Sequence, residues 1–234
     1  MGYATTSNRI GSYELNENAL QEPCIRRALY FHKGMMSMNL LQQSALAWKE
    51  ITEYRYSLIY GYKKQLYPLH LTFSLEDYPH LAGFQYMKDL SLPNYNSAKI
   101  VTRILEGKIP FEKIQAAAHY KSLIEPRLKA LIHIKESLDN EFTFYSYMPR
   151  MYPFFTSIKA DYILSSHYKL DNFIFIIKAT AKDELKCDFV CCSIFEKDDQ
   201  RNYETNQRSR TLLRKERIHI PSGTSTILFN KLSP

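Results

Sequence analysis

Apolar residues are sparse over residues 1–22, which are rich in Asn, Ser and Thr and keep neither a helical nor a strand period, so this stretch reads as a flexible arm. From Gly34 to Glu53 the positions Met35, Met38, Leu41, Ala45, Trp48 and Ile51 recur every three or four residues and predict one amphipathic helix. The period then changes. Tyr54–Tyr60 and Leu66–Phe73 are aromatic and β-branched runs on either side of Gly61-Tyr62-Lys63-Lys64-Gln65, the pattern of a β-hairpin, and Pro68 marks the second strand as an edge. Residues 79–139 return to a helical period, in pieces near 79–90, 96–106, 111–120 and 122–138. Pro93-Asn94 and Gly107-Lys108-Ile109-Pro110 punctuate them, and Pro126 is tolerated in a first turn. Beyond Asp139-Asn140 six extended runs follow: 142–147, 157–165, 173–180, 185–195, 211–220 and 226–229. Helices and strands in separate runs predict an α+β fold. Its expected form is an N-terminal helix and β-hairpin, with central helices packed on a C-terminal antiparallel sheet of about five strands, in a single domain over residues 23–234.

Composition narrows the class. With 234 residues, 45% hydrophobic and 24% charged, the chain can bury a full core and is neither disordered nor a disulfide-stapled miniprotein. Its 31 Lys and Arg against 24 Asp and Glu leave a net charge of +7, which points to a polyanionic partner. Cys24, Cys187, Cys191 and Cys192 do not form paired CxxC half-sites and are read as free thiols of a reducing cytoplasm. Neither a signal peptide nor an apolar run of about 20 residues is present. Met1-Gly2-Tyr3-Ala4-Thr5-Thr6 fits the loose myristoylation pattern, but no polybasic second anchor follows, so no stable membrane association is expected.

Candidate chemistry is dispersed. There is no GxGxxG or GxxxxGK[ST] phosphate loop, no HExxH, no EF-hand loop and no GxSxG, so neither a cofactor nor a bound metal is expected. Charge is concentrated between Arg201 and Arg217, where six cations against Glu204 and Glu216 give +4 of the total +7. That stretch fits either a phosphate-binding surface or a solvated, charged edge. His80, between the hairpin and the helical region, suits a general base as well as a capping or packing residue.

Five segments in order carry a family resemblance. His80-Leu81-Ala82-Gly83 is similar to a His-Leu-Thr-Gly signature, and Ser157-Ile158-Lys159-Ala160-Asp161-Tyr162 to a Ser-Ile-x-Ala-Asp-Tyr strand. Ser193-Ile194-Phe195 resembles a Ser-Phe-Phe strand end. Asn202–Gln207 and Thr211–Ile218 resemble an Asp-Tyr-Thr-x-x-Gln and a Leu-Leu-x-Lys-Glu-Lys-Ile segment. The signature is that of the phage-associated nucleases named after barnase, EndoU, colicin E5/D and RelE (BECR), fourth type. The chain departs from it at Ala82, Ile194 and Arg217.

The resemblance implies a BECR-like nuclease fold and a metal-independent endoribonuclease, toxin-like and associated with phages or mobile elements. Its products would end in 2′,3′-cyclic phosphate. His80 would be the general base and Lys215 would hold charge on the scissile phosphate. Ser157 and Ser193 would donate to phosphate oxygens, Tyr203 would stack or act as acid, and Gln207 would orient substrate. Arg208, Arg210, Arg214 and Arg217 would bind flanking phosphates. The implied partners are RNA (tRNA, mRNA or ribosome-bound) and an immunity or antitoxin protein. A non-catalytic RNA- or protein-binding module on the same fold is the alternative.

Overall fold

A computed structural model describes residues 38–90, 96–179 and 188–232. The arm expected over residues 1–22, the start of the first predicted helix, Cys24, Cys187 and Pro93-Asn94 lie outside the described residues. From Asn39 onward the chain forms one unit.

Helix α1 (Leu40–Ile51) starts where Asn39 and Gln42 cap each other reciprocally, at 3.0 and 3.3 Å. Its periodic apolar face, Leu41, Ala45, Trp48 and Ile51, is fully buried, and the Trp48 indole N–H donates to the Ser74 carbonyl at 2.9 Å. Strands β1 (Tyr54–Tyr62) and β2 (Gln65–Thr72) form the hairpin. Its two-residue turn places Lys63 and Lys64 at φ of 48° and 64°, a left-handed turn usually made by Asn and Gly. Short helices follow: α2 (Tyr78–Leu81), α3 (Ser97–Leu105), α4 (Phe111–Gln115), α5 (Glu125–Ile132) and α6 (Ile134–Asp139). A π-turn over Tyr120–Ile124 leads into α5. The remaining strands are β3 (Phe142–Ser146), β4 (Tyr162–Ser166), β5 (Asn172–Lys178), β6 (Asp188–Glu196), β7 (Arg208–His219) and β8 (Ser225–Asn230).

The expected helices packed on a five-stranded antiparallel sheet are not what forms. Seven strands close into a barrel in the order β1-β2-β6-β5-β4-β3-β7, with β7 returning to β1, and β8 is an eighth strand outside the closure. The barrel is mixed, because β2 and β6 run parallel through His70–Thr72 and Asp188–Val190. The error has a physical source. The hairpin is not an appendage: β1 pairs with β7 from Tyr54↔His219 to Gly61↔Thr211, 150 to 165 residues away, and local periodicity carries no information about such pairing. The 12-residue β7 makes this possible, pairing with β3 through Arg208–Arg210 and, after β3 diverges, with β8 through Arg214–Ile218. Pro68 pairs only with Ile59, on the part of β2 that precedes its contact with β6. The run predicted from Ser157 becomes a strand only at Tyr162.

β5 is buried on both faces, and this creates two cores. Ile174 and Ile176 join the main core with α1, α5, β1 and β2, whereas Phe173 and Phe175 belong to a second cluster with Tyr147, Tyr152, Ile163 and Tyr203. Cys191 and Cys192 divide between the same two faces of β6 and are free thiols. Burial pushes both thiols up, Cys192 to about 12, so neither is a thiolate near neutral pH. No helix among the described residues is long and apolar enough to cross a membrane.

Candidate active site

The second cluster is covered by two loops, residues 147–161 and 197–207, and the loops fix one wall of a cleft. Tyr203 is their plug. It is 4% exposed and packs edge-on against Phe175, Phe154, Tyr152 and Phe173, with ring centres 5.1–5.5 Å apart. The Tyr152 hydroxyl donates to the Tyr203 carbonyl at 2.9 Å. Gln207 joins the loops: its Oε1 accepts from the Met148 amide at 2.6 Å and its Nε2 donates to the Met148 carbonyl at 3.3 Å. This side chain is occupied in holding backbone.

At the floor lies Arg127, which the sequence reading did not single out. It stands on the first turn of α5 after Pro126 and is 8% exposed. Its Nη1 donates to the Ser193 hydroxyl at 3.1 Å and to the Ile194 carbonyl at 3.4 Å, and its guanidinium lies 5.5 Å from the rings of both Tyr86 and Phe195. Burial pulls its pKa down. Among the described residues no carboxylate forms an ion pair with it. A buried cation without a counter-ion is costly, and a polyanionic ligand is one way to offset that cost.

The His80-Leu81-Ala82-Gly83 segment leads to the same place. Gly83 has φ +85°, a conformation that favours glycine, and a Cβ there would sit 3.1 Å from the Arg127 Cδ, close enough that the arginine stem would have to give by a few tenths of an ångström. Leu81 and Ala82 are buried, and His80 is exposed. The Gly83 amide donates to the His80 carbonyl at 3.1 Å.

Arg127, Thr156, Ser157, Lys197, Arg201 and Tyr203 line a cleft of about 320 Å³, with Tyr86, Phe155 and Phe195 in its walls. Two carboxylates also line it, each already engaged: Glu196 pairs with Lys129 at 3.5 Å, and Asp198 accepts from the Gln200 and Arg201 amides at 2.9 Å. Ser157 is exposed, and Ser193 stands behind the guanidinium at 4% exposure. The Lys197 ammonium is already engaged: it donates to Ser165 at 2.7 Å and Glu204 at 2.8 Å, and lies 3.1 Å from His167 Nε2. Burial alone would raise the Glu204 pKa, but the hydrogen bonds from Lys197 and Ser165 hold it below the ordinary value. Of the cations on the cleft lining, Arg127 is therefore the buried one without an ion pair among the described residues.

Lys215 is elsewhere. It is 2% exposed and donates to the carbonyls of Leu138 at 2.7 Å, Asp139 at 3.1 Å and Asn140, which caps the C-terminus of α6. Burial pulls its pKa down to about 8. It lines a separate cavity of about 430 Å³, between β3 and β8, that shares no residue with the cleft. The arginines of β7 are mostly engaged along the strand. Arg210 donates from Nε to Ser146 at 2.7 Å and lies 3.5 Å over the Tyr62 ring. Arg214 pairs with Glu216 at 3.1 Å, and Arg217 with Asp139. Arg201 and Arg208 are exposed, and of the two only Arg201 reaches the cleft. The structure thus brings Ser157 and Tyr203 into the cleft with Arg127 and sets Ser193 against its guanidinium. It does not bring His80, Gln207, Lys215, Arg208, Arg210, Arg214 or Arg217 to the cleft lining. No signal in the sequence could have marked Arg127, which looks like one more polar residue of a helix.

Neither a comparison with curated proteins nor one with solved structures finds a match. A family model described as phage-Barnase-EndoU-ColicinE5/D-RelE like nuclease4 matches residues 40–232, which covers α1, every strand of the barrel, β8 and every residue of the cleft. The chain therefore belongs to this nuclease-like family.

Proposed function

We propose that the protein is a metal-independent endoribonuclease that cleaves RNA by attack of the ribose 2′-hydroxyl, and that the Arg127 cleft is its active site. One observation carries the reading: a buried guanidinium without a carboxylate partner lies at the floor of a cleft that also holds Ser157 and Tyr203. Such a group is preorganised for an anion and would stabilise the phosphorane that forms when O2′ attacks phosphorus. Ser193 and the Ile194 carbonyl hold Arg127 in place, so Ser193 is a positioning residue. Ser157 donates to a non-bridging oxygen. His80 takes the 2′-hydroxyl proton and Tyr203 supplies a proton to the departing 5′-oxygen, leaving a 2′,3′-cyclic phosphate and a 5′-hydroxyl. Lys215 and Gln207 support this site through the fold, because their polar atoms are bound to backbone. Acting on tRNA, mRNA or ribosome-bound RNA in the cytoplasm, such an enzyme would be toxin-like and restrained by an immunity protein.

The test is incubation of the purified protein with mixed RNA in EDTA. Fragments are expected from wild type, and their rate is expected to fall at least about 100-fold in Arg127→Met and His80→Ala. RNA left intact, with and without ribosomes, overturns the reading. Salt-dependent binding without cleavage would identify a non-catalytic RNA-binding module instead.

A further inference from the structure

Phe155 is 86% exposed, the most exposed large apolar side chain among the described residues. Its exposure is built rather than incidental, because the chain is held on both sides of it. Phe154 turns inward and stacks on Tyr152, with centroids 4.8 Å apart and planes at 11°. On the other side the Thr156 hydroxyl accepts from the Ile158 amide at 3.2 Å and bonds the Tyr147 hydroxyl at 3.3 Å, and that hydroxyl also donates to the Ile158 carbonyl at 3.0 Å. The ring so presented lines the same cleft as the Arg127 guanidinium.

We propose that Phe155 is the platform on which one unpaired nucleobase stacks while the adjoining phosphate lies on Arg127, so that the substrate is single-stranded. The inference rests on the reading of the cleft as an RNA site. A planar hydrophobic face beside a cation and hydroxyl donors matches the two halves of a nucleotide, whereas an apolar peptide would leave the guanidinium desolvated and unpaired. At about 320 Å³ the cleft sits at the small end of ligand sites, room for one nucleotide-sized group. In a duplex the base faces are already stacked on one another and are closed to a side chain.

The test uses a single-stranded 2′-O-methyl RNA octamer, which cannot be cleaved by 2′-hydroxyl attack, carrying one 2-aminopurine, together with its duplex. Wild type is expected to bind the single strand at least about tenfold more tightly than the duplex and to quench the 2-aminopurine fluorescence on binding. Phe155→Ala, a change at an exposed position, is expected to lose about tenfold in affinity and the quench, and Phe155→Trp to restore both. If Phe155→Ala binds the single strand as wild type does while Arg127→Met does not, the stacking platform is refuted and the RNA reading survives. If wild type binds neither form, the RNA reading fails and the platform with it.

Discussion

Replacing Arg127 with Met separates a functional buried charge from a structural one. The variant loses the hydrogen bond to Ser193 at 3.1 Å and the longer one to the Ile194 carbonyl at 3.4 Å, together worth about 1.5–3 kcal/mol for a charged donor. It also loses two cation–ring contacts at 5.5 Å, about 1–2 kcal/mol each for a desolvated guanidinium. Against this stands the desolvation of a guanidinium that is 8% exposed and has no carboxylate partner, a penalty of several kcal/mol that a methionine of similar length does not incur. The two sides nearly cancel, so the expected stability change is within about 1 kcal/mol, a shift of roughly 2–4 °C in melting temperature for a unit of this size. Turnover should behave differently. Removing one preorganised donor from an oxyanion site costs about 100- to 1,000-fold in kcat. Thermal melts and RNA cleavage in EDTA on the same preparation read both quantities. A fall in melting temperature of more than about 10 °C, with cleavage per folded molecule unchanged, would make Arg127 a strut and refute the reasoning.

Other changes test the supports of the site. Gly83→Ala places a Cβ at φ +85° and 3.1 Å from the Arg127 stem, so it should cost about 1–2 kcal/mol in denaturant titration and lower cleavage by displacing the guanidinium. Gln207→Ala removes both bonds to Met148 and should speed amide exchange through residues 148–158, read by hydrogen–deuterium exchange. Lys215→Met leaves the carbonyls of Leu138, Asp139 and Asn140 without their donor and should cost about 1–3 kcal/mol. Lys215 also sets a pH dependence. Its folded pKa of about 8 lies below the ordinary 10.5, so its burial penalty is fully present below pH 8 and is relieved as pH rises toward 10.5. The stability advantage of wild type over Lys215→Met should therefore widen from pH 8 to 10.5, and a constant difference would contradict the burial of a charged lysine.

Elements were far more legible than their assembly. The spacing of Leu41, Ala45, Trp48 and Ile51 located α1, and aromatic alternation around Lys63-Lys64 located the hairpin, because each pattern reports a face that one element buries. Closure was illegible. The parallel contact of β2 with β6 and the pairing of β1 with β7 join segments more than 100 residues apart, and a charged strand such as Arg208–His219 does not advertise three neighbours. The site divided in the same way. Ser157, Ser193 and Tyr203, which lie around Arg127, sit in segments recognisable from the sequence, and Gly83 has a backbone reason to be glycine. Charge density did not show that Lys215, Arg214 and Arg217 stand on opposite faces of β7 and are bonded to the end of α6, Glu216 and Asp139. Arg127 was hidden because its meaning lies in what it lacks, a counter-ion, and that is a property of the folded surroundings alone.

The central claim is that the Arg127 cleft cleaves RNA through the ribose 2′-hydroxyl. It is tested most directly by mass analysis of fragment ends from a single-stranded RNA, and from the same strand with 2′-deoxyribose throughout, both in EDTA. Expected are 2′,3′-cyclic phosphate and 5′-hydroxyl ends from the RNA, no cleavage of the deoxy strand, and the same RNA ends formed at least about 100-fold more slowly by Arg127→Met. Cleavage of both strands alike, or fragments with 3′-hydroxyl and 5′-phosphate ends, would contradict it.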